Sequence, residues 1–318
     1  VVRYGTNLAP NTAPMTGQMW WAEEVTKRTQ GRVKVDMYPA NSLVDGTQGY
    51  EAVLAGVADM YLISTSLDRK LFPVTTIPAI PGAGFPDDTL EANTAHTNTF
   101  FELLDKFPAA AAEFEQFAPM FFYIVYSQSY LISKNKKVTV PTDLKGMKVG
   151  SSGLRMDFVS KFGSAPVTDM PPTAYEKLQT GVTDASFVAV SAAKDFKIYE
   201  VTNYILDVPF GGGGMPIIMN KNTWNKISPE DQQLMKELAV EGSRMSNEAI
   251  AENTRDAWQL LTDKGMKVTV TAEERALWDK EFAVLWEEYI QQNEAAGVTN
   301  AREIFNFWKA AADKAWGN

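Results

Sequence analysis

Residues Asp143 to Ser191 read D-L-K-G-M-K-V-G-S-S-G-L-R-M-D-F-V-S-K-F-G-S-A-P-V-T-D-M-P-P-T-A-Y-E-K-L-Q-T-G-V-T-D-A-S-F-V-A-V-S. The pattern is strand, polar turn, amphipathic helix, strand, second helix and third strand, an α/β unit whose first turn is built to hold a small ligand. Val149-Gly150-Ser151-Ser152-Gly153-Leu154 places small residues and hydroxyls where a strand becomes a helix. Free backbone N–H groups and the positive end of the helix dipole favour an anionic or hydrogen-bond-accepting group there. Two readings of Ser152 stand side by side, ligand contact and a plain helix cap. Arg155, a cation in the first helical turn, opposes the dipole and is either a ligand or salt-bridge partner or a solvated surface residue.

An echo of this unit lies earlier in the chain. Tyr50-Glu51-Ala52-Val53-Leu54-Ala55-Gly56-Val57-Ala58-Asp59 matches Tyr175-Glu176-Lys177-Leu178-Gln179-Thr180-Gly181-Val182-Thr183-Asp184 at Tyr, Glu, Gly, Val and Asp, with an aliphatic pair at the fourth place. In each copy the glycine suits a left-handed helix stop before a buried strand. Such turns draw on few residue types, so chance similarity is one explanation. The other, which we prefer, is two domains built from related α/β units.

Composition narrows the function classes. At 318 residues with 45% apolar content the chain is long enough for two domains with substantial cores. A net charge of −9 without a basic run argues against nucleic-acid binding. The absence of cysteine removes disulfides, thiolate nucleophiles and Cys-based metal sites, and fits a reducing compartment or a periplasm alike. A single histidine, His96, leaves no His-based triad and no multi-His metal site; its polar helical surroundings make it a surface residue in expectation. The longest apolar run, Pro119 to Tyr126, is far short of the roughly 20 residues that span a bilayer. Any signal peptide is taken to have been removed. Carboxylates are plentiful but none is paired at a spacing that singles it out for acid/base work. No cofactor, metal or catalytic residue is expected.

In chain order, Val1 to Leu8 is a strand, Met15 to Gln30 a helix, Arg32 to Tyr38 a strand, followed by a helix through Leu54 and the apolar strand Met60 to Ile63. The proline-rich stretch Leu71 to Pro86 reads as a surface loop, and Thr89 to Phe117 as helix interrupted at Pro108. Phe121 to Ile132 and Asn203 to Asn220 read as extended crossovers between domains, the run Gly211 to Gly214 serving close packing or hinge bending rather than phosphate binding. Ser228-Pro229-Glu230-Asp231 is a strong helix start, and apolar spacing from Leu234 to Leu261 gives one helix of about 36 residues, about 54 Å long, a strut across both domains. The aromatics Tyr126, Tyr130, Phe187 and Phe210 fall at strand ends, where most are core and a few are placed to enclose a small solute, an amine among the candidates.

Taken together, Arg3 to Pro14, Arg28-Thr29-Gln30-Gly31-Arg32-Val33-Lys34-Val35, the Tyr50 to Asp59 element, D-L-K-G-M-K-V from Asp143, G-S-A-P-V from Gly163, A-Y-E-K-L-Q-T-G-V-T-D from Ala174 and M-N-K-N-T-W from Met219 resemble the solute-binding proteins of tripartite ATP-independent periplasmic (TRAP) transporters, of the dicarboxylate-binding DctP type, over essentially the whole chain. The resemblance implies a periplasmic two-domain α/β receptor with crossover strands and a long spanning helix. It would close around a small organic solute, usually a carboxylate, and deliver it to membrane permease subunits without chemistry. By the same matching Asn7, Asp45, Ser64, Tyr130, Met170, Pro171 and Val188 fall at or near cleft-lining positions. Gly150 stands where many members carry an arginine that pairs bidentately with the ligand carboxylate, and Tyr130 where some carry a second. The implied ligand is therefore either neutral or an amine, or a carboxylate held by Arg155 or by backbone amides. An enzyme on a similar scaffold is the rival class. The expected division is 1–124 plus about 212–250 as one domain, 125–211 as the other, and 251–318 as helices packing across both.

Overall fold

The structure, a computed structural model, describes residues 1–66 and 69–317. Its elements run β1 (Val2–Gly5), α1 (Met15–Arg28), β2 (Val35–Tyr38), α2 (Gly49–Leu54), β3 (Met60–Leu62), α3 (Leu90–Lys106), α4 (Pro108–Ala112), β4 (Tyr123–Tyr126) and β5 (Ser129–Ser133). They continue through β6 (Lys148–Ser151), α5 (Leu154–Ser160), β7 (Ala165–Thr168), α6 (Pro171–Thr180), β8 (Ala185–Ala189), α7 (Val190–Asp195), β9 (Tyr204–Leu206) and β10 (Gly213–Met219). The last are α8 (Lys221–Trp224), α9 (Pro229–Asp263), β11 (Lys267–Val268), α10 (Ala272–Ala295) and α11 (Ala301–Trp316).

Two compact α/β units result, one of Val1–Thr76, Thr89–Tyr126 and Gly214–Ala251, the other of Ile77–Asp88, Ser127–Gly213 and Glu252–Asn318. In the first, the strand order is β2-β1-β3-β10-β4, with β1 parallel to β2 and β3 and β10 antiparallel to β3. In the second it is β11-β9-β5-β8-β6-β7, with β6 parallel to β7 and β8 and β5 antiparallel to β8 and β9. The chain passes between the units five times; two of these passages, between Tyr126 and Ser127 and between Gly213 and Gly214, fall inside the two extended stretches expected from sequence, and the others follow Thr76, Asp88 and Ala251. The strut helix α9 is 35 residues long and contributes to both units. Ser228 caps it through the Asp231 N–H at 3.2 Å.

Two expectations change. Residues 71–86 are not a surface loop: Phe72, Val74, Ile77, Ala79, Ile80 and Phe85 are all buried. Side chains satisfy part of this backbone. Glu113 accepts from the N–H groups of Val74 and Thr75 in the first unit. In the second, the indole N–H groups of Trp286, Trp308 and Trp316 donate to the carbonyls of Pro81, Ala83 and Gly84 at 2.9 Å each. These same bonds explain why α10 and α11 belong with the second unit, as does the 2.7 Å bond from Trp278 Nε1 to the Thr139 carbonyl. Burying a tryptophan requires a partner for its N–H, and a proline-rich segment supplies carbonyls no strand has used.

His96 is likewise inside, 4% exposed, with Nε2 2.9 Å from the Tyr123 hydroxyl. Burial drives its pKa down to about 3. Its polar neighbours mislead because they interlock with α9: Asn93 Nδ2 donates to the Asn247 carbonyl, and Asn247 Nδ2 to the Thr97 hydroxyl. A helix face that looks solvated by composition is here a buried hydrogen-bonded seam.

In the second unit the sheet is buried on both faces. Leu131, Val149 and Phe187 join Phe158, Trp278 and Phe282 on one side. Tyr130, Ile132 and Val188 join Leu178, Ala257 and Leu261 on the other. The alternation along β5 and β8 assigns successive residues to opposite cores.

Candidate functional site

Parallel strands bring their carboxyl ends, and the loops that follow, to one edge of a sheet, where α/β proteins bind ligands. In the first unit that edge carries Asn7 after β1, Asp45 before the turn into α2, and Ser64 after β3. Asn7 lies against Gly46, the residue after Asp45: a Cβ added to Gly46 would be 3.0 Å from the Cβ of Asn7. Asp45 Oδ1 accepts from the Thr47 hydroxyl at 2.7 Å and the Thr47 N–H at 2.9 Å, bonds that hold its carboxyl below the usual range. Ser64 Oγ lies 2.9 Å from Ser66 Oγ. Tyr126 ends β4 and is 37% exposed. An open groove of about 760 Å³ between α1 and β2 holds none of these residues.

In the second unit β6, β7 and β8 run parallel, and their ends present Ser151-Ser152, Asp169-Met170-Pro171 and Ala189. Pro171 occupies the first position of α6, where its missing N–H costs nothing, and Met170 before it is 47% exposed. No side-chain hydrogen bond caps α5, so Ser152 is not its cap, and the helix spans only seven residues. Arg155 is half-buried, and its Nη1 donates to the Phe210 carbonyl at 3.5 Å. Phe187 and Phe210, with ring centroids 4.8 Å apart, pack in the core, as do Val188 and Tyr130.

The place beside Gly150 is filled. A Cβ there would lie 2.5 Å from Asp169 Oδ2 and 2.6 Å from Ser186 Oγ, which are themselves hydrogen bonded at 2.8 Å. Asp169, 5% exposed, also accepts from Thr173 Oγ1 and the Met170 N–H and pairs with Lys177 at 3.1 Å. Glycine at 150 thus makes room for a buried, fully engaged carboxylate. Sequence reading missed Asp169 and Ser186, which are joined only through sheet register; the one available signal was a charged residue directly after a strand. Ser151, one of the hydroxyls of the turn quoted from sequence, has a buried Oγ with no hydrogen-bond partner among the described residues.

Two α/β sheets with polar carboxyl edges, joined by crossover strands and a shared long helix, define the two-domain binding-protein class. The chain belongs to the bacterial extracellular solute-binding protein family 7, whose model matches residues 4–293. Such proteins are receptors for transport and not enzymes. The C4-dicarboxylate-binding periplasmic protein DctP of Rhodobacter capsulatus is 25% identical over 300 residues, 92% of this chain and 87% of that protein. A TRAP periplasmic solute binding protein from Desulfovibrio salexigens shares the fold with a TM-score of 0.84 at 23% identity, covering 98% of this chain and 95% of that one. One from Bordetella bronchiseptica with bound mandelate gives 0.82 at 19% identity, covering 98% of each chain. Among the described residues no helix is long and apolar enough to cross a membrane.

Proposed function

We propose that this protein is the periplasmic receptor of a TRAP transporter and hands a neutral or amine-bearing small organic solute to membrane permease subunits. The observation that carries the choice of solute is the Asp169–Ser186 pair beside Gly150, which leaves no space for an arginine there without rebuilding the strand edge. Tyr130, at the second position where the family resemblance implies an arginine in some members, packs edge-on against Trp258 at 4.9 Å. Asn7, Asp45, Ser64 and Tyr126 in the first unit, and Ser151, Ser152, Met170 and Pro171 in the second, are the groups we assign to solute recognition; most are hydrogen-bonding and none is cationic.

A second reading keeps a carboxylate ligand and assigns its charge to Arg155. It is favoured by the position of that guanidinium near the strand edge and by the mandelate bound in the Bordetella bronchiseptica neighbour. Mass spectrometry of material released from the purified, denatured protein identifies the solute. Calorimetric titration of polyols, amines and carboxylates against the protein and Arg155→Ala then separates the readings. Arg155→Ala weakens a carboxylate more than tenfold if Arg155 holds it, and leaves a neutral solute unchanged. Carboxylate binding that is tight and indifferent to Arg155→Ala would contradict both assignments.

A further inference from the structure

The second unit holds a cavity of about 640 Å³ whose lining includes none of Ser151, Ser152, Met170 and Pro171 and is walled by Tyr130, Trp258 and Trp316. Its volume is that of a small-molecule site. Charged groups of both signs line it, and most are already matched. Lys267 pairs with Asp207 at 2.9 Å and lies 4.7 Å from the Trp258 ring centroid; Arg275 pairs with Asp279 at 2.7 Å. Asp87 is buried and accepts from the Gln128 N–H at 2.9 Å.

Two lining groups are left over. Among the described residues neither Asp88 nor Arg255 takes part in an ion pair, although the two are adjacent: Arg255 Nη1 donates to the Asp88 backbone carbonyl at 2.8 Å. That bond engages one nitrogen of the guanidinium with the main chain; both residues are exposed and both line the cavity. An exposed carboxylate and an exposed guanidinium side by side match the ammonium and carboxylate of one α-amino acid, each charge meeting its opposite. The three aromatic walls supply the surface for an apolar side chain. Neither a simple amine nor a simple acid uses both charges.

We propose that this cavity binds an α-amino acid with an aromatic or aliphatic side chain, its ammonium on Asp88 and its carboxylate on Arg255, at a site separate from the strand-edge residues assigned to the transported solute. Titration calorimetry of the full chain with L-phenylalanine and L-leucine, beside 2-phenylethylamine and 3-phenylpropanoate, tests it. Expected is binding of the two zwitterions, with each one-charge analogue at least tenfold weaker. Asp88→Asn and Arg255→Gln, both at exposed positions, each weaken L-phenylalanine by tenfold or more, whereas Arg155→Ala leaves its affinity unchanged. Thermal melts of the variants matching the parent protein show that folding is intact. The proposal is overturned if neither amino acid binds, if the one-charge analogues bind as well, or if binding survives Asp88→Asn and Arg255→Gln but is lost in Arg155→Ala.

Discussion

The same turn is built twice, and its two copies differ in what surrounds them. In the first unit Asp59 receives the N–H of Arg3 at 2.9 Å on Oδ2 and returns its own N–H to the Arg3 carbonyl at 3.0 Å. In the second, Asp184 does the same to Lys148, at 2.8 and 2.7 Å. Each cation then reaches the carbonyl of the helix-stop glycine, Arg3 that of Gly56 and Lys148 that of Gly181. The next strand register is also shared, Gly5 facing Tyr61 as Gly150 faces Ser186. What differs is the filling: an aromatic ring lies over Gly5, and a serine–aspartate pair lies over Gly150. The backbone device is held constant while the side chains at the ligand edge diverge, which separates what the fold requires from what the solute requires.

The largest expected asymmetry lies in the aspartates. Asp59 is 7% exposed and binds Arg3 Nε at 2.8 Å and Thr223 Oγ1 at 2.6 Å besides the Arg3 N–H. Asp184 is half-buried, and its carboxylate holds one N–H. Removing the more buried carboxylate strands several donors, so Asp59→Ala should cost about 3 kcal/mol and Asp184→Ala about 1 kcal/mol in urea unfolding. Equal losses would mean that the surroundings of Asp59 contribute nothing. Burial alone would raise the Asp59 pKa, but the Arg3 and Thr223 hydrogen bonds outweigh it and lower the value. Its contribution is therefore present above the ordinary aspartate range and fades as pH falls through the lowered value.

Next come the glycines facing those strands. A Cβ at Gly5 would lie 2.6 Å from the Tyr61 ring, and one at Gly150 2.5 Å from Asp169 Oδ2. Overpacking of this kind costs about 1–3 kcal/mol. The remedy should differ: Gly150→Ala is partly rescued by Ser186→Ala, which opens space, whereas Gly5→Ala is rescued only by reducing the Tyr61 ring. Chemical denaturation of the single and double variants gives the coupling directly, and additivity in the Gly150 pair would refute the contact.

How far these features were legible follows from the range of the interactions. The echo of Tyr50–Asp59 in Tyr175–Asp184, the Ser228 cap and the crossover strands were readable because propensity and capping are local in sequence. The burial of residues 71–86 was not, since it depends on tryptophans more than 200 positions away, such as Trp286 on Pro81. Nor was the content of the Gly150 position, set by Asp169 and Ser186 through strand pairing. The glycine itself was visible; the reason for it required the register.

A smaller difference should appear with pH. Each unit buries one carboxyl whose pKa burial pushes up to about 7, Glu113 in the first and Asp87 in the second. Between the ordinary carboxyl range and pH 7 the folded state holds these protons more tightly than the unfolded chain, so stability falls as pH rises through that window. Glu113→Gln and Asp87→Asn should each flatten the decline between pH 5 and 8 by on the order of 1 kcal/mol in denaturant titrations. A decline unchanged by both would show that other groups carry it.

The smallest expected effect tests the equivalence itself. Gly56 and Gly181 end their helices with φ of 72° and 75°, and an added Cβ at either would meet nothing within 4 Å. Alanine at each site therefore pays only for the left-handed backbone, about 1 kcal/mol, with no packing contribution of either sign. Since the surroundings of the two turns differ and the penalty does not draw on them, Gly56→Ala and Gly181→Ala should destabilise equally to within about 0.3 kcal/mol. A gap above about 1 kcal/mol between them would mean that one turn is braced by its neighbours in a way the other is not, and that the duplicated device has diverged in its backbone as well as in its side chains.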